Sequence, residues 1–344
     1  MSAFSQPKNN SQDSLAARLT IDYLLDFKTI EKDDIQDVIN GLKQKQKLLP
    51  TRYFYDRKGS QLFEKICQLP EYYPTRTEAS ILQQYATDIV NQTQAIELVE
   101  LGSGSSSKTR YLFNAYQESN IPLYYIPVDV SDSILKESAK ELLIDYPQVK
   151  IQGKVATYSQ ALQQLKNNFL GKRIIIFLGS SIGNFNSAKC DRFIAQVTSA
   201  LNPGDYFLLG IDLQKPVGVL EAAYNDSQGV TAAFNLNMLQ HLNHRFAGNF
   251  NLDSFKHQAI YNQTEDQIEM YLISQKEQTV TLSSLNSTIK LEKEERILTE
   301  ISRKFNLEKM EKYLSDRNLN LIKTYTDPQQ WFGLLLVQLS SAQK

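Results

Sequence analysis

The segment with the clearest chemical potential is a glycine- and hydroxyl-rich stretch that follows an apolar run. Residues 96–101 predict a buried strand, Gly102, Ser103 and Gly104 come next, and Ser105–Ser107 open a predicted helix. Glycines let the backbone approach a ligand, and a helix N-terminus attracts negative charge. The dinucleotide fingerprint G-x-G-x-x-G requires a third glycine, where this chain has Ser107. The loop therefore favours S-adenosylmethionine (SAM), which bears a carboxylate, over a dinucleotide; a tight turn without a ligand is the alternative.

An acidic residue ends the next predicted strand. Asp129 lies between Val128 and Val130, about 25 residues after the glycine loop. A carboxylate at this place accepts hydrogen bonds from ribose hydroxyls, and ligands of such sheets bind beyond the strand C-termini. The alternative is that Asp129 only caps the following helix, a task that Asp132 is also placed to perform.

Two tyrosine-rich segments have the composition of a pocket wall. Residues 49–60 and 69–76 contain four tyrosines among prolines and arginines. Tyrosine combines an apolar ring with a hydrogen-bonding hydroxyl, which suits a polar organic ligand. A surface loop packed through its rings is the alternative interpretation.

Two further segments place polar side chains after or along predicted strands. Gly179 and Asn184 follow the most apolar strand, and the asparagine side chain both donates and accepts hydrogen bonds. In Thr299-Glu300-Ile301-Ser302, the carboxylate and the second hydroxyl share one face of a strand. Together they would bind a cationic or N–H-bearing group. An ordinary asparagine turn and a solvated strand face are the alternatives.

The elements that must position these residues alternate between strand and helix. Strands are predicted at 96–101, 123–130, 149–156, 173–179 and 206–213, and helices at 133–144, 158–168 and 188–201. Mostly apolar strands joined by helices are typical of a parallel sheet covered on both faces. The fold class expected is therefore α/β.

The flanking regions follow other patterns. Residues 15–49 are predicted to be largely helical, 217–247 helical, and 255–304 a set of antiparallel strands. Residues 331–339 form an apolar run that predicts a strand closing the sheet. This organisation indicates a second, smaller lobe inserted late in an α/β domain.

Composition excludes several classes of protein. The 344 residues are 42% hydrophobic, and 37 Lys and Arg balance 38 Asp and Glu, so no nucleic-acid partner is expected. The longest apolar stretches are far below the ~20 residues that span a bilayer, and the polar N-terminus lacks a signal peptide core. Cys67 and Cys190 are too few for a disulfide framework or zinc site, and the three histidines, interpreted as surface or helix residues, form no metal triad. A cytoplasmic monomer without a metal or membrane partner is expected.

Taken together, these segments resemble one family, the histidine N-alpha-methyltransferases of ergothioneine biosynthesis. The similarity covers nearly the whole chain from about Ile21. The motifs that carry it are Tyr53-Phe54-Tyr55-Asp56, Leu69-Pro70-Glu71-Tyr72-Tyr73-Pro74-Thr75-Arg76, Glu100-Leu101-Gly102-Ser103-Gly104, Phe177-Leu178-Gly179-Ser180-Ser181-Ile182-Gly183-Asn184, Ala223-Tyr224-Asn225-Asp226 with Gly229-Val230-Thr231-Ala232, and Thr299-Glu300-Ile301-Ser302.

The resemblance implies a Rossmann-like methyltransferase sheet with a second, smaller α+β substrate-binding lobe. Residues 1–18 would be a disordered lead-in. The substrate-binding lobe would comprise 19–76 plus 214–304, and the SAM-dependent methyltransferase domain 77–213 plus 305–344. Histidine would bind between the two.

The resemblance also implies roles for individual residues. The SAM-binding residues would be Gly102, Ser103, Gly104 and Lys108 at the methionine portion, Asp129 at the ribose, and Thr157 and Tyr158 at the adenine. On histidine, Asn184 and Tyr224 would hold the carboxylate, Gly179 and Tyr55 the amine, and Tyr72, Glu300 and Ser302 the imidazole, with Phe63 and Met270 lining the pocket. Tyr55 and Asn184 would be the catalytic residues. Thr157 is a departure, because the family commonly has an acidic residue there.

The implied reaction is trimethylation of the α-amine of L-histidine to hercynine, the first step of ergothioneine biosynthesis. Methylation of another aromatic amino acid such as tryptophan is the alternative within enzymes, although an indole has a single N–H and cannot use both Glu300 and Ser302. A non-catalytic SAM-binding module is the alternative from another class.

Overall fold

The computed structural model describes residues 17–25, 27–165 and 171–340, with residues 27–34 described by their backbone. The predicted disordered lead-in, residues 1–18, lies outside the described residues except for its last two. The predicted helix at 158–168 likewise runs beyond them after residue 165.

The helices and strands of the described residues are numbered in chain order. They are β1 (Leu19–Tyr23), α1 (Phe27–Lys43), β2 (Lys47–Leu48), α2 (Arg57–Cys67), α3 (Tyr73–Thr93), β3 (Glu97–Leu101), α4 (Arg110–Glu118), β4 (Tyr124–Asp129), α5 (Asp132–Asp145), β5 (Lys150–Val155), α6 (Tyr158–Leu165), β6 (Arg173–Phe177), α7 (Ser187–Ala200), β7 (Tyr206–Asp212), α8 (Val217–Tyr224), α9 (Val230–Phe246), β8 (Phe255–Asn262), β9 (Gln267–Ser274), β10 (Gln278–Leu282), β11 (Ser287–Leu291), β12 (Arg296–Arg303), α10 (Leu307–Ser315), β13 (Leu319–Thr326) and β14 (Phe332–Leu339).

The larger lobe is built on an eight-stranded sheet with the order β1-β5-β4-β3-β6-β7-β14-β13. The first six strands in this order are parallel, and β14 and β13 add antiparallel pairs at one edge. All residues of β3, β6 and β7 are buried, which explains their nearly continuous apolar sequences. The predicted fold class is confirmed. The ends of each predicted strand of this sheet lie within two residues of the ends observed.

The helical prediction for residues 15–49 is wrong at its start. Leu19–Tyr23 forms β1, which pairs in parallel with β5 at the edge of the large sheet. The strand is held by its five-residue ladder with β5, and the Asp22 carboxylate also binds Lys154 Nζ at 2.9 Å. The strand therefore belongs to the large sheet and not to the smaller lobe, to which residues 19–76 were assigned. Five residues of alternating pattern are too few to stand out beside the 17-residue helix α1.

The smaller lobe packs helices against a four-stranded sheet with the order β2-β12-β9-β8, and a β10–β11 hairpin adjoins it. Its core is rich in aromatic rings, such as Phe54 and Phe234, which stack with centroids 4.5 Å apart. The antiparallel strands predicted for 255–304 and the helices predicted for 217–247 are confirmed.

The two lobes meet where β7 ends. Phe305 N–H donates to Asp212 O at 2.8 Å, and Gln214 N–H donates to Phe305 O at 3.0 Å. Gly183 lies against the backbone of Arg303, where an added Cβ would be only 3.0 Å from the carbonyl oxygen. The C-terminal end of β12 is therefore held against the C-terminal edge of the parallel strands.

Candidate active site

The strand order reverses between β3 and β6, which is the point where doubly wound sheets bind ligands. The turn after β3 contains Gly102 with φ +73°, and the turn after β6 contains Gly179 with φ +74°. Positive φ angles of this size favour glycine. Both predicted glycine turns therefore flank the same crevice.

Asp129 holds the glycine loop from the neighbouring strand. Its Oδ2 accepts a hydrogen bond from Gly104 N–H at 2.9 Å, and its Oδ1 accepts one from Ser131 N–H at 2.9 Å. Ser131 is itself the N-cap of α5, so Asp129 is not the capping residue of that helix. Desolvation raises the pKa of Asp129. Each carboxylate oxygen retains a lone pair for a ribose hydroxyl.

The loop has two features that fit SAM. A Cβ at Gly102 would lie 2.9 Å from Tyr158 Oη, so only glycine brings the loop this close to the predicted adenine residue. The buried Ser103 Oγ has no hydrogen-bond partner among the described residues. Such an atom is expected to find a partner in a bound ligand.

A buried carboxylate supports the loop from behind. Glu100 accepts a hydrogen bond from Thr109 Oγ1 at 2.6 Å and another from Tyr125 Oη. Desolvation raises the pKa of Glu100 to about 7. The Tyr125 hydroxyl also bonds Ser106 Oγ at 2.9 Å, and Ser106 has φ +52°. These hydrogen bonds support the shape of the loop without any contact from a ligand.

Thr157 forms a capping box at the start of α6. Thr157 N–H donates to Gln160 Oε1 at 3.0 Å, and Gln160 N–H donates to Thr157 Oγ1 at 3.3 Å. This reciprocal arrangement satisfies two backbone donors at a helix N-terminus. The residue predicted to lie at the adenine is therefore also the N-cap of the helix that carries Tyr158.

The two glycine turns are joined by Glu78 of α3, which the sequence analysis did not identify. Its fully buried carboxylate accepts hydrogen bonds from Gly179 N–H at 2.8 and 3.0 Å and forms an ion pair with Lys108. Lys108, predicted to hold the methionine portion, thus lies at the junction between the turns. A mid-helix glutamate carries no sequence signal for such a role.

Most of the predicted substrate-binding residues line one small cavity of about 70 Å³ beside these turns. The lining residues are Tyr55, Phe63, Tyr72, Pro74, Gly179, Ser180, Ser181, Asn184, Asp212, Tyr224, Glu300 and Ser302. Met270 is not among them. It is buried in the core of the smaller lobe and pairs with Glu300 across the β9–β12 ladder.

Strand β12 turns Glu300 and Ser302 toward the cavity. A bulge between Leu298 and Glu300 shifts the register, and Thr299 Oγ1 donates to Met270 O at 3.0 Å. Desolvation raises the pKa of Glu300 to about 7, and the positive charge of Lys304 opposes part of that rise. Tyr72 and Tyr224 also have raised pKa values through burial, so their hydroxyls stay protonated.

A buried charged cluster is centred on Asp212, one of the residues that line the cavity. Asp212 binds Lys304 Nζ at 2.8 Å and Lys215 Nζ at 2.5 Å, and it accepts hydrogen bonds from Tyr73 Oη at 2.7 and 2.9 Å. Desolvation lowers the pKa of Lys215 to about 8, while Asp212 raises the pKa of Lys304. Lys304 was missed, although strand alternation after Glu300 and Ser302 gives a signal for it.

The backbone of Tyr224, at the end of helix α8, is contacted by a histidine of strand β8. His257 Nε2 lies 2.8 Å from Tyr224 O, and its Nδ1 lies 2.8 Å from Asn235 Nδ2. Burial lowers the pKa of His257. His257 therefore supports the end of α8 from strand β8, which corrects its interpretation as a surface or helix residue.

The described residues contain neither a candidate metal-binding cluster nor a candidate membrane-spanning helix. Across 17–25, 27–165 and 171–340, no group of three His, Cys, Asp or Glu side chains is arranged to hold a metal ion. Among the helices in those same ranges, none is long and apolar enough to cross a bilayer.

Comparison with known proteins shows which family this chain resembles. A model of the family described as "Histidine-specific methyltransferase, SAM-dependent" matches residues 34–339. The chain is 40% identical to the histidine N-alpha-methyltransferase of Mycolicibacterium smegmatis, over 88% of this chain and 93% of that protein. Identity to the histidine N-alpha-methyltransferase of Mycobacterium tuberculosis is 38% with the same coverage. Ergothioneine biosynthesis protein 1 of Neurospora crassa is 31% identical over 85% of this chain and 33% of its own length.

Proposed function

The chain belongs to the histidine-specific, SAM-dependent methyltransferase family, and we propose that it trimethylates the α-amine of L-histidine to hercynine, the first step of ergothioneine biosynthesis. The observation that carries this proposal is the cavity itself. The cavity is lined by the carboxylate of Glu300 and the hydroxyl of Ser302, and also by Asn184 and Tyr224, beside the glycine turns.

SAM, when bound at the Gly102 loop, supplies an electrophilic methyl group on a sulfonium. The amine lone pair forms the new N–C bond as the C–S bond breaks, and the electron pair of that bond goes to sulfur. The protein must therefore hold a deprotonated amine in line with the methyl group and exclude water. Asn184 and Tyr55 are assigned to hold the amine without enclosing it, so that it turns between successive transfers.

Histidine is assigned to the cavity with its ring toward β12. Asn184 and Tyr224 would bind the carboxylate, and Gly179 would lie near the amine. Tyr72, Glu300 and Ser302 would surround the imidazole. Phe63 supports this arrangement because its ring packs against Tyr72 with centroids 6.3 Å apart.

The two lobes are proposed to bind different ligands. Residues 24–76 and 214–304 would supply the substrate side, and the large sheet with β1 would supply the SAM side. We also propose a cytoplasmic monomer. The near balance of charges supports the part of this proposal that excludes nucleic acid and charged membrane surfaces as partners. Light scattering during size-exclusion chromatography tests the monomer.

The test of function is incubation of the purified protein with labelled SAM and each standard amino acid, followed by mass spectrometry. Histidine alone should gain three methyl groups, whereas methylation of tryptophan instead would favour the alternative substrate. Glu300→Ala should raise the histidine KM sharply, because a site built on a hydrogen bond rejects partners that cannot make it. Unchanged histidine kinetics in that variant would overturn the assignment of Glu300.

A further inference from the structure

We propose that Lys304 is a positioning residue that makes Ser302 a hydrogen-bond donor toward the substrate ring, so that the site selects the neutral imidazole. This inference rests on the proposed histidine methylation and adds the protonation state that is recognised and the residue that enforces it.

The Lys304 ammonium has each of its donors engaged. Its Nζ lies 2.8 Å from Asp212 Oδ2, 2.9 Å from Ser302 Oγ and 3.1 Å from Tyr224 Oη, and its side chain is fully buried. An ammonium group has three N–H donors and no acceptor. Two of the three donors therefore go to hydroxyls that line the cavity.

Asp212 does not need Lys304 for charge balance. Lys215 and Tyr73 already satisfy its carboxylate, so Lys304 is a second buried cation on a single anion. A buried charge is costly unless its interactions compensate for the loss of water. Asp212 supplies part of this compensation for Lys304, and the interactions that Lys304 has and Lys215 lacks are its hydrogen bonds to Ser302 and Tyr224.

These hydrogen bonds leave only the O–H proton of Ser302 available for a further hydrogen bond. Ser302 Oγ accepts from Lys304 and also from Tyr224 Oη, which lies 2.9 Å away, so both of its lone pairs are occupied. If Tyr224 instead donates its hydrogen bond to a substrate carboxylate, one lone pair of Ser302 is released. Lys304 still donates to both oxygens, and its positive charge disfavours the approach of a second N–H to Ser302. Ser302 then keeps its proton for the substrate, and both hydroxyls act as donors.

Glu300 supplies the complementary acceptor. Its carboxylate lines the same cavity and receives no hydrogen bond from the residues the structure describes. One acceptor and one donor match a ring that has one N–H and one bare nitrogen. A neutral imidazole has this pattern, an indole lacks the bare nitrogen, and an imidazolium presents two N–H groups, one of which would oppose the Ser302 proton.

The experiment compares L-histidine with two ring analogues, β-(pyrrol-2-yl)alanine and β-(pyrrol-3-yl)alanine. Each analogue keeps the N–H of one imidazole tautomer and replaces the bare nitrogen by C–H. The measurements are kcat/KM, and the Kd by calorimetry in the presence of S-adenosylhomocysteine. The wild-type enzyme should prefer histidine over both analogues by about tenfold or more, the value of one hydrogen bond.

Lys304→Met should bring this preference to within about threefold, and Ser302→Ala should do the same. Lys215→Met is the matched control. Lys215 also binds Asp212 but contacts neither Ser302 nor Tyr224. The Lys215→Met variant should therefore keep the wild-type preference for histidine. Lys304→Gln, with two donors for three acceptors, should give an intermediate preference and serves if the methionine variant does not fold.

A wild-type preference in either folded Lys304 variant would overturn the inference, as would loss of preference in Lys215→Met to the same extent. The proposed function fails in a different way, if the wild-type enzyme neither binds nor methylates histidine.

Discussion

Gly210 of β7 lies directly beneath Glu78 of α3, because a Cβ at position 210 would collide with Glu78 Oε1. The glutamate fills the space that the glycine leaves, and from there it binds Gly179 N–H and Lys108. One missing methyl group thus allows a buried carboxylate to connect the turn after β6 with the turn that contains Lys108, just before α4.

Gly210→Ala is therefore expected to displace Glu78 and impair both ligand sites. The histidine kcat/KM should fall at least about tenfold and the SAM Kd should rise, since the loss of one charged hydrogen bond is worth about 1.5–3 kcal/mol. Steady-state kinetics and calorimetry measure the two effects. Gly218→Ala on helix α8, where an added Cβ meets nothing within 4 Å, is the control and should leave both unchanged. Equal behaviour of the two variants would show that Glu78 does not connect the sites.

Replacement by alanine should weaken SAM binding to different extents at the two glycines of the glycine loop. At Gly102 an added Cβ meets Tyr158 Oη at 2.9 Å in addition to the strain of a positive φ. At Gly104 the φ is +50° but an added Cβ meets nothing within 4 Å, so the strain stands alone, about 1–2 kcal/mol. Gly102→Ala should therefore weaken SAM binding clearly more than Gly104→Ala does. Calorimetric titration of each variant with SAM measures this, and a larger loss in Gly104→Ala would contradict it.

The central strands were predictable because burial on both faces leaves a continuous apolar signature, as in β6 and β7. Gly102, Asp129 and Gly179 were also predictable, because a parallel sheet brings the residues that follow its strands to one edge. Strand β1 was missed because five alternating residues carry little signal of their own. Its position depends on pairing with β5 and on the Asp22–Lys154 ion pair, and both join residues that lie far apart in the sequence.

The charged groups behind the site were not predictable in the same way. Nothing local distinguishes Glu78 from a solvated charge. Strand alternation places Lys304 on the same face as Glu300 and Ser302, but it does not reveal that Lys304 is buried, because its anionic partner is distant in the sequence. Asp212, which binds Lys304, lies in the other lobe. Met270 is an error in the other direction. The resemblance predicted that it lines the pocket, but it is not among the residues that line the cavity. Its buried position in the ladder beside Glu300 indicates support of that residue.

The recognition of histidine should depend on the ionisation of Glu300. Its pKa is about 7 because desolvation disfavours the carboxylate, while Lys304 favours it, and the nearby hydroxyls of Tyr55, Tyr72 and Tyr224 face it across the cavity. Above this pKa the carboxylate accepts an N–H from the ring. Below it the group is protonated, so binding of histidine should weaken as the pH falls from 8 to 6.

The substrate ring also titrates in this range, with an ordinary pKa of about 6.5. The measurement is therefore the ratio of the histidine Kd of Glu300→Gln to that of the wild-type protein at each pH, by calorimetry. Ionisation of the free substrate cancels in the ratio. The ratio of the two Kd values should be large above about pH 7 and fall toward unity at lower pH, since a protonated glutamate resembles glutamine. A ratio that stays constant from pH 6 to 8 would contradict the prediction.

Thr157 offers a way to separate helix capping from cofactor binding. Its hydroxyl accepts Gln160 N–H at the start of α6, and aspartate is at least as good an N-cap as threonine. Thr157→Asp should therefore leave the free energy of unfolding nearly unchanged. It would add the carboxylate that the family commonly has beside the adenine, where a charged acceptor binds an amine more strongly than a hydroxyl does. We expect the SAM Kd to fall several-fold, as measured by calorimetry. Thr157→Ala is the comparison: it should lower stability by about 1 kcal/mol through loss of the cap, and a tighter SAM Kd in that variant would exclude the carboxylate as the cause.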